Sequence, residues 1–184
     1  MHSVALPAEK FHRSDAEAAL PVRQRVTHPD IRSLYFEDLA VGMAETLSHT
    51  VSSDDVLEFA ELTGDRNPIH LSEDFASQTI FKTRIAHGLY TASLISAVLG
   101  TRLPGPGVVY FSQTLNFRAP VKIGDTVDVT VEVAELIPEK YRARLACSCM
   151  VGDELVLDGE AWVKVPSRMG WPSKSEPRPV QAAE

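Results

Sequence analysis

Polar and apolar positions change rhythm several times along the chain, and each change predicts an element. Thr, Leu and Val dominate residues 45–51, a strand candidate. Ser52 and Ser53 then offer N-caps, and Asp54 and Asp55 favour the positive end of a helix running to Leu62. Val56, Phe59, Ala60 and Thr63 recur at helical spacing and are expected to face the core. A shorter helix is expected over residues 73–77, capped by Ser72. Residues 86–99 are apolar on every side, so this helix should be surrounded rather than packed on one face. Gly100 is expected to stop it, and Leu103-Pro104-Gly105-Pro106-Gly107 forms a loop.

From Val108 onward the period shortens. Residues 108–117, 126–136, 141–151 and 154–165 are rich in β-branched and aromatic side chains or alternate with period two. Pro138-Glu139-Lys140 and Gly152-Asp153 supply turns, the second a tight hairpin, so the strands should pair antiparallel. The order predicts an α+β fold, a single domain in which an antiparallel sheet wraps a central apolar helix. One sheet covers one side of that helix, so the other side or the sheet edge calls for a partner subunit. Residues 1–34 are expected to be a partly flexible N-terminal extension with a short helix over 14–20. Residues 35–166 form the domain, and 167–184, rich in Pro, Ser, Arg and Lys, a flexible tail.

A chain of 184 residues with 44% hydrophobic and 23% charged residues is sized for one soluble domain with tails. A formal charge of -7 argues against a general nucleic-acid surface but leaves room for a local basic patch facing one phosphorylated ligand. Cys147 and Cys149, two apart on a strand, share a face and read as reduced core residues; no Cys or His cluster completes a zinc pattern. The N-terminus lacks a signal-like apolar region, and Glu9, Asp15 and Glu17 weigh against a transit peptide. The apolar run over residues 85–99 is shorter than the ~20 residues of a membrane span and is interrupted by His87, Ser93 and Ser96. A cytoplasmic protein without membrane contact is expected.

Candidate chemistry sits at the joins between elements. Gly64 suits the left-handed close of the first helix, and Asp65, Asn67-Pro68 and His70 follow at once. Because Pro68 biases Asn67 away from helix, Asp65 and His70 are expected on a bent, non-helical loop that aims both at one point, an arrangement suited to proton transfer. On spacing alone, ordinary turn chemistry explains the same residues.

The run Phe59-Ala60-Glu61-Leu62-Thr63-Gly64-Asp65-Arg66-Asn67-Pro68-Ile69-His70 resembles the hydratase motif of the MaoC-like, R-specific enoyl-CoA hydratases, proteins of the hot-dog fold. Ile85-Ala86-His87-Gly88, Ser112-Gln113-Thr114-Leu115-Asn116-Phe117-Arg118-Ala119-Pro120-Val121 and Gly124-Asp125 extend the resemblance over residues 35–165. It implies catalytic roles for Asp65 and His70, and an oxyanion site at the Gly88 N–H near a helix start. It implies an acyl-CoA thioester substrate, hydrated at the 2-enoyl bond, with no metal or organic cofactor. A homodimer or dimer of dimers is implied too. Asn67 is expected to hold the loop beside the substrate, and Ser96 either lines the acyl pocket or is a small residue at a crowded helix face. Lys82, Arg84, Arg118 and Lys122 are the basic residues considered for the CoA phosphates, with Arg84 and Arg118 carried forward as binding residues. His87 is expected to point elsewhere on its helix and be structural. The competing readings are dehydration of a branched or dicarboxylic 3-hydroxyacyl-CoA, thioester hydrolysis and non-catalytic acyl-CoA binding.

Overall fold

Alternation with period two builds the sheet. The computed structural model describes residues 31–170; the helix expected over 14–20 and most of the tail lie outside the described residues. Five strands, β1 (Ala44–Thr50), β2 (Val109–Phe117), β3 (Thr126–Ile137), β4 (Arg142–Val151) and β5 (Glu154–Lys164), pair antiparallel in the order β1-β3-β4-β5-β2. Val127, Val129, Val131 and Val133 of β3 turn to the buried face, as do Ala143, Leu145, Cys147 and Cys149 of β4. A 3-10 turn at Pro138–Lys140 joins β3 to β4. Gly152 and Asp153 alone join β4 to β5, where Val151 pairs with Glu154, the expected tight hairpin. Both cysteines are free, and burial pushes their thiols up to about 11 at Cys147 and about 12 at Cys149, so they are unreactive core residues.

Four helices precede the last four strands: α1 (Ser53–Thr63), α2 (Pro68–Leu71), α3 (Glu73–Ser77) and α4 (Gly88–Thr101). Ser52 caps α1, exchanging hydrogen bonds with Asp55, and Ser72 caps α3. α4 lies on the sheet and buries Tyr90, Thr91, Ile95, Val98 and Leu99. Two expectations for α4 are corrected. Within this chain it is not surrounded, because Leu89, Ser93 and Ser96 form one exposed stripe at helical spacing. Nor does Gly100 stop it. A glycine weakens a helix without removing its hydrogen-bond donor, so the ladder continues to Arg102 N–H on Val98 O at 2.9 Å. On α1, Val56 and Ala60 are buried as expected but Thr63 is exposed, its hydroxyl turned back to Phe59 O.

Both flanks begin on the body of the fold. Arg32 N–H reaches Thr101 O at 2.9 Å and Leu34 N–H reaches Pro104 O at 3.0 Å, inside the stretch assigned to the extension. At the other end Arg168 grips both Asp38 carboxylate oxygens at 2.7 and 2.8 Å and lies over the Tyr35 ring. No helix among the described residues is long and apolar enough to cross a membrane.

The sheet is tightest where β2 meets β5. A Cβ added to Gly159 would lie 1.8 Å from Thr114 O, a backbone atom that cannot move without breaking the ladder. Gly159→Ala is therefore expected to lower stability by about 1–3 kcal/mol, read as a reduced midpoint in chemical denaturation with unchanged slope.

Candidate active site

The site is assembled at the end of α1. Gly64 takes the left-handed conformation (φ 78°), returns its N–H to Ala60 O at 2.9 Å, and releases the chain into a sharp bend. Three short-range hydrogen bonds then fix that bend: Asp65 N–H to Thr63 Oγ1, Asn67 N–H to Asp65 Oδ1 and Ile69 N–H to Asn67 Oδ1. Pro68 opens α2, so His70 sits on one helical turn and not on the non-helical loop expected for it. Pro68 keeps Asn67 extended, but its own fixed φ suits the first helical position, with Asn67 as the cap. Asn67 is exposed and its side chain is occupied in that cap.

His70 is buried, 7% exposed, while Asp65 is exposed. His70 Nδ1 lies 2.9 Å from Ile85 O. A carbonyl only accepts, so Nδ1 carries the proton and the neutral ring keeps its lone pair on Nε2. Burial holds the His70 pKa below the ordinary imidazole value, opposed by the bond to Ile85; His87 lowers it further and Asp65 raises it. Arg84, carried forward as a binding residue, is held on the backbone of the site. Its Nε–H donates to His70 O at 2.7 Å, Nη1 reaches Ser53 Oγ at 3.3 Å, and Nη2 is buried. The guanidinium thus closes the C-terminal end of α2 from inside.

His87 is a second correction. It is 2% exposed, its ring is stacked on His70 with centroids 3.8 Å apart and planes at 29°, and its Nε2–H donates to Asp65 O at 2.9 Å. The expectation that it points elsewhere treats it as a helical residue. It is instead the extended residue before α4 (φ -64°, ψ 136°), which turns its ring back toward the loop.

Gly88 opens α4, so its N–H has no intrahelical acceptor and stands at the positive end of the helix dipole. The Phe117 ring covers it closely: an added Cβ would lie 2.8 Å from Phe117 Cε1. Two cavities meet there. One of about 300 Å³ is lined by His70, Phe81, Thr91 and Arg118, the other, about 320 Å³, by Phe59, Thr63, Asp65 and His87, and Gly88 and Phe117 line both. Arg118 reaches the rim with its guanidinium paired to Asp158 at 3.0 Å. Ser96 lines neither cavity; it lies two turns along α4 on the exposed stripe.

Asp65, His70 and His87 offer donor atoms that all lie within 4.8 Å of one another. Such a set could hold a divalent cation, but stacked imidazoles direct their lone pairs side by side, so one ring would first have to leave the stack.

Residues 41–145 match the family model described as MaoC like domain. The chain belongs to this family. It is 75% identical over 140 residues to a 3-hydroxybutyryl-CoA dehydratase of Methylorubrum extorquens, covering 76% of this chain and 89% of the relative. An (R)-specific enoyl-CoA hydratase of Rhodospirillum rubrum is 53% identical over 134 residues, covering 73% of this chain and 93% of that protein. Among solved structures, the unliganded R-hydratase of Pseudomonas aeruginosa superposes with a TM-score of 0.71 at 42% identity, over 73% of this chain and 87% of that one. Asp65, His70 and Gly88, singled out in the sequence, lie together around the two cavities, and His87 and Phe117, not assigned there, stand beside them. The one available signal for His87 was its place directly before a helix-opening glycine.

The buried imidazole makes stability depend on pH in a stated direction. In the unfolded chain His70 titrates near ~6.5, and its folded pKa is lower. The unfolded state therefore binds the proton first on acidification. The contribution is present above ~6.5 and is lost as pH falls below it. Denaturation between pH 7.5 and 5 is expected to show this slope, at most ~1.4 kcal/mol per pH unit for one proton, and His70→Asn should flatten it.

Proposed function

We propose that this chain catalyses the reversible, (R)-specific hydration of trans-2-enoyl-CoA to (R)-3-hydroxyacyl-CoA. The observation that carries the reading is the approach of the Asp65 carboxylate to within 4.8 Å of a tautomer-fixed His70, beside the unpaired N–H of Gly88. Two hydrogen bonds of ~2.8 Å to one shared water span such a gap. His70 Nε2, neutral because the ring is buried, takes a proton from that water as its oxygen attacks C3 of the enoyl thioester. Asp65 accepts the water's other hydrogen bond and orients it. Charge develops on the thioester oxygen, where the Gly88 N–H and the helix dipole stabilise it, an effect worth ~3 kcal/mol for one such donor. Collapse of the enolate takes the proton from His70 onto C2, which restores the starting state and balances the addition of one water.

The name of the Methylorubrum relative favours a four-carbon acyl group as the first substrate. Arg118 at the rim and the exposed Lys122 are the basic residues positioned for CoA phosphates. A homodimer is part of the same reading. β2 is paired on one side only, and Val109, Tyr110, Phe111 and Phe117 leave its apolar side chains exposed. The unreactive, reduced Cys147 and Cys149 agree with the cytoplasm.

Loss of enoyl-thioester absorbance with crotonyl-CoA tests the assignment, with chiral analysis of the product. Wild type should yield the R-3-hydroxy product, and Asp65→Asn and His70→Asn should each lose about 10²–10⁴-fold in kcat while remaining folded. An inert wild type on crotonyl-CoA and longer enoyl-CoAs would sink the reading. Sedimentation is expected to give a dimer, and a fully active monomer would remove that part alone.

A further inference from the structure

Three rings stand in a column under the Asp65 loop. Phe59 lies 5.1 Å from His87, and His87 lies 3.8 Å from His70, centroid to centroid. His87 is the middle ring, and it is chemically constrained on two sides. Its Nε2 faces the Asp65 carbonyl, which only accepts, so that nitrogen is the protonated one. Its Nδ1 is buried with no hydrogen-bond partner among the described residues. A buried acceptor left without a donor costs about 1–3 kcal/mol. A phenylalanine here would fill the column without that penalty, so packing alone does not account for an imidazole. What an imidazole adds is a donor for Asp65 on the same ring that carries His70.

We propose that His87 is a positioning residue for the hydration reaction: it fixes Asp65 through the backbone carbonyl and His70 through the ring face, so that carboxylate and imidazole address one water. The inference rests on the hydratase reading above. His87 does not itself exchange protons with the water, because one nitrogen is engaged and the other is sealed from solvent. Its ring face also gives the imidazolium formed on His70 during turnover a stacking partner. The other charged groups facing His70 are the Asp65 carboxylate and the Arg84 guanidinium at its carbonyl. Neither touches both members of the pair as His87 does.

Two substitutions separate the two contacts. His87→Phe keeps a ring in the column and removes the donor, whereas His87→Gln keeps an N–H able to reach Asp65 O and removes the stack. With crotonyl-CoA, each is expected to lower kcat about tenfold or more, since small displacements of reacting groups have large effects on rate. KM should stay within about twofold and the thermal midpoint within a few degrees. An active wild type and inactive Asp65→Asn, together with a folded His87→Phe or His87→Gln whose kcat stays within twofold, would overturn the positioning role alone. So would a rise in KM at unchanged kcat, which would place His87 in ground-state binding. An inert wild type would overturn the hydratase reading and this role with it.

Discussion

The hydrogen bond from His70 Nδ1–H to the Ile85 carbonyl is the contact on which the site depends. It joins the single turn of α2 to the extended segment that leads into α4. The backbone repeats the join, with Ile85 N–H on Ile69 O, and Arg84 closes it from below through His70 O. The same bond decides the chemistry of the ring. By occupying Nδ1 it leaves Nε2 as the free nitrogen, and by acting on a buried ring it leaves that nitrogen unprotonated near neutral pH. Structure and reactivity are thus set by one contact.

That contact is in turn anchored by the sheet. Ile85 bridges to Lys122, and Ala86 N–H donates to Val121 O at 2.7 Å, just before β3 begins. Val121 belongs to the stretch that continues from the end of β2, where Phe117 covers Gly88. The start of α4, the wall of both cavities and the acceptor for His70 therefore move as one unit with the sheet. Rigid support of this kind keeps a carboxylate, an imidazole and a backbone N–H in a fixed relation to one another.

Much of this was legible in the residues because it is local. Ser52 and Ser72 cap the helices expected of them, period-two burial runs along most of β3 and β4, and Gly152-Asp153 makes the hairpin. The closeness of Asp65, His70 and Gly88 was legible because a short motif carries its own bends. The failures share a cause of the opposite kind. Arg84 reads as a surface cation until the carbonyl of His70, fourteen residues earlier, is seen to receive it. Thr63 lies at a core spacing, yet the helix ends there and its hydroxyl turns back on the backbone. His87 and Phe117 are placed by contacts between distant segments, which spacing along the chain does not encode. The helix expected to be wholly enclosed carries an exposed stripe at Leu89, Ser93 and Ser96, because apolar residues on every side do not fix which of them the sheet covers.

The unequal exposure of Asp65 and His70 follows from where they stand. His70 is drawn inside by the column of rings and loses affinity for protons, while Asp65 stays at the open side on a loop fixed through its backbone. A carboxylate drawn into the core would lose its solvent and resist ionisation. Holding Asp65 by its carbonyl avoids this. The His87 Nε2–H holds the Asp65 main chain while the Asp65 side chain stays exposed.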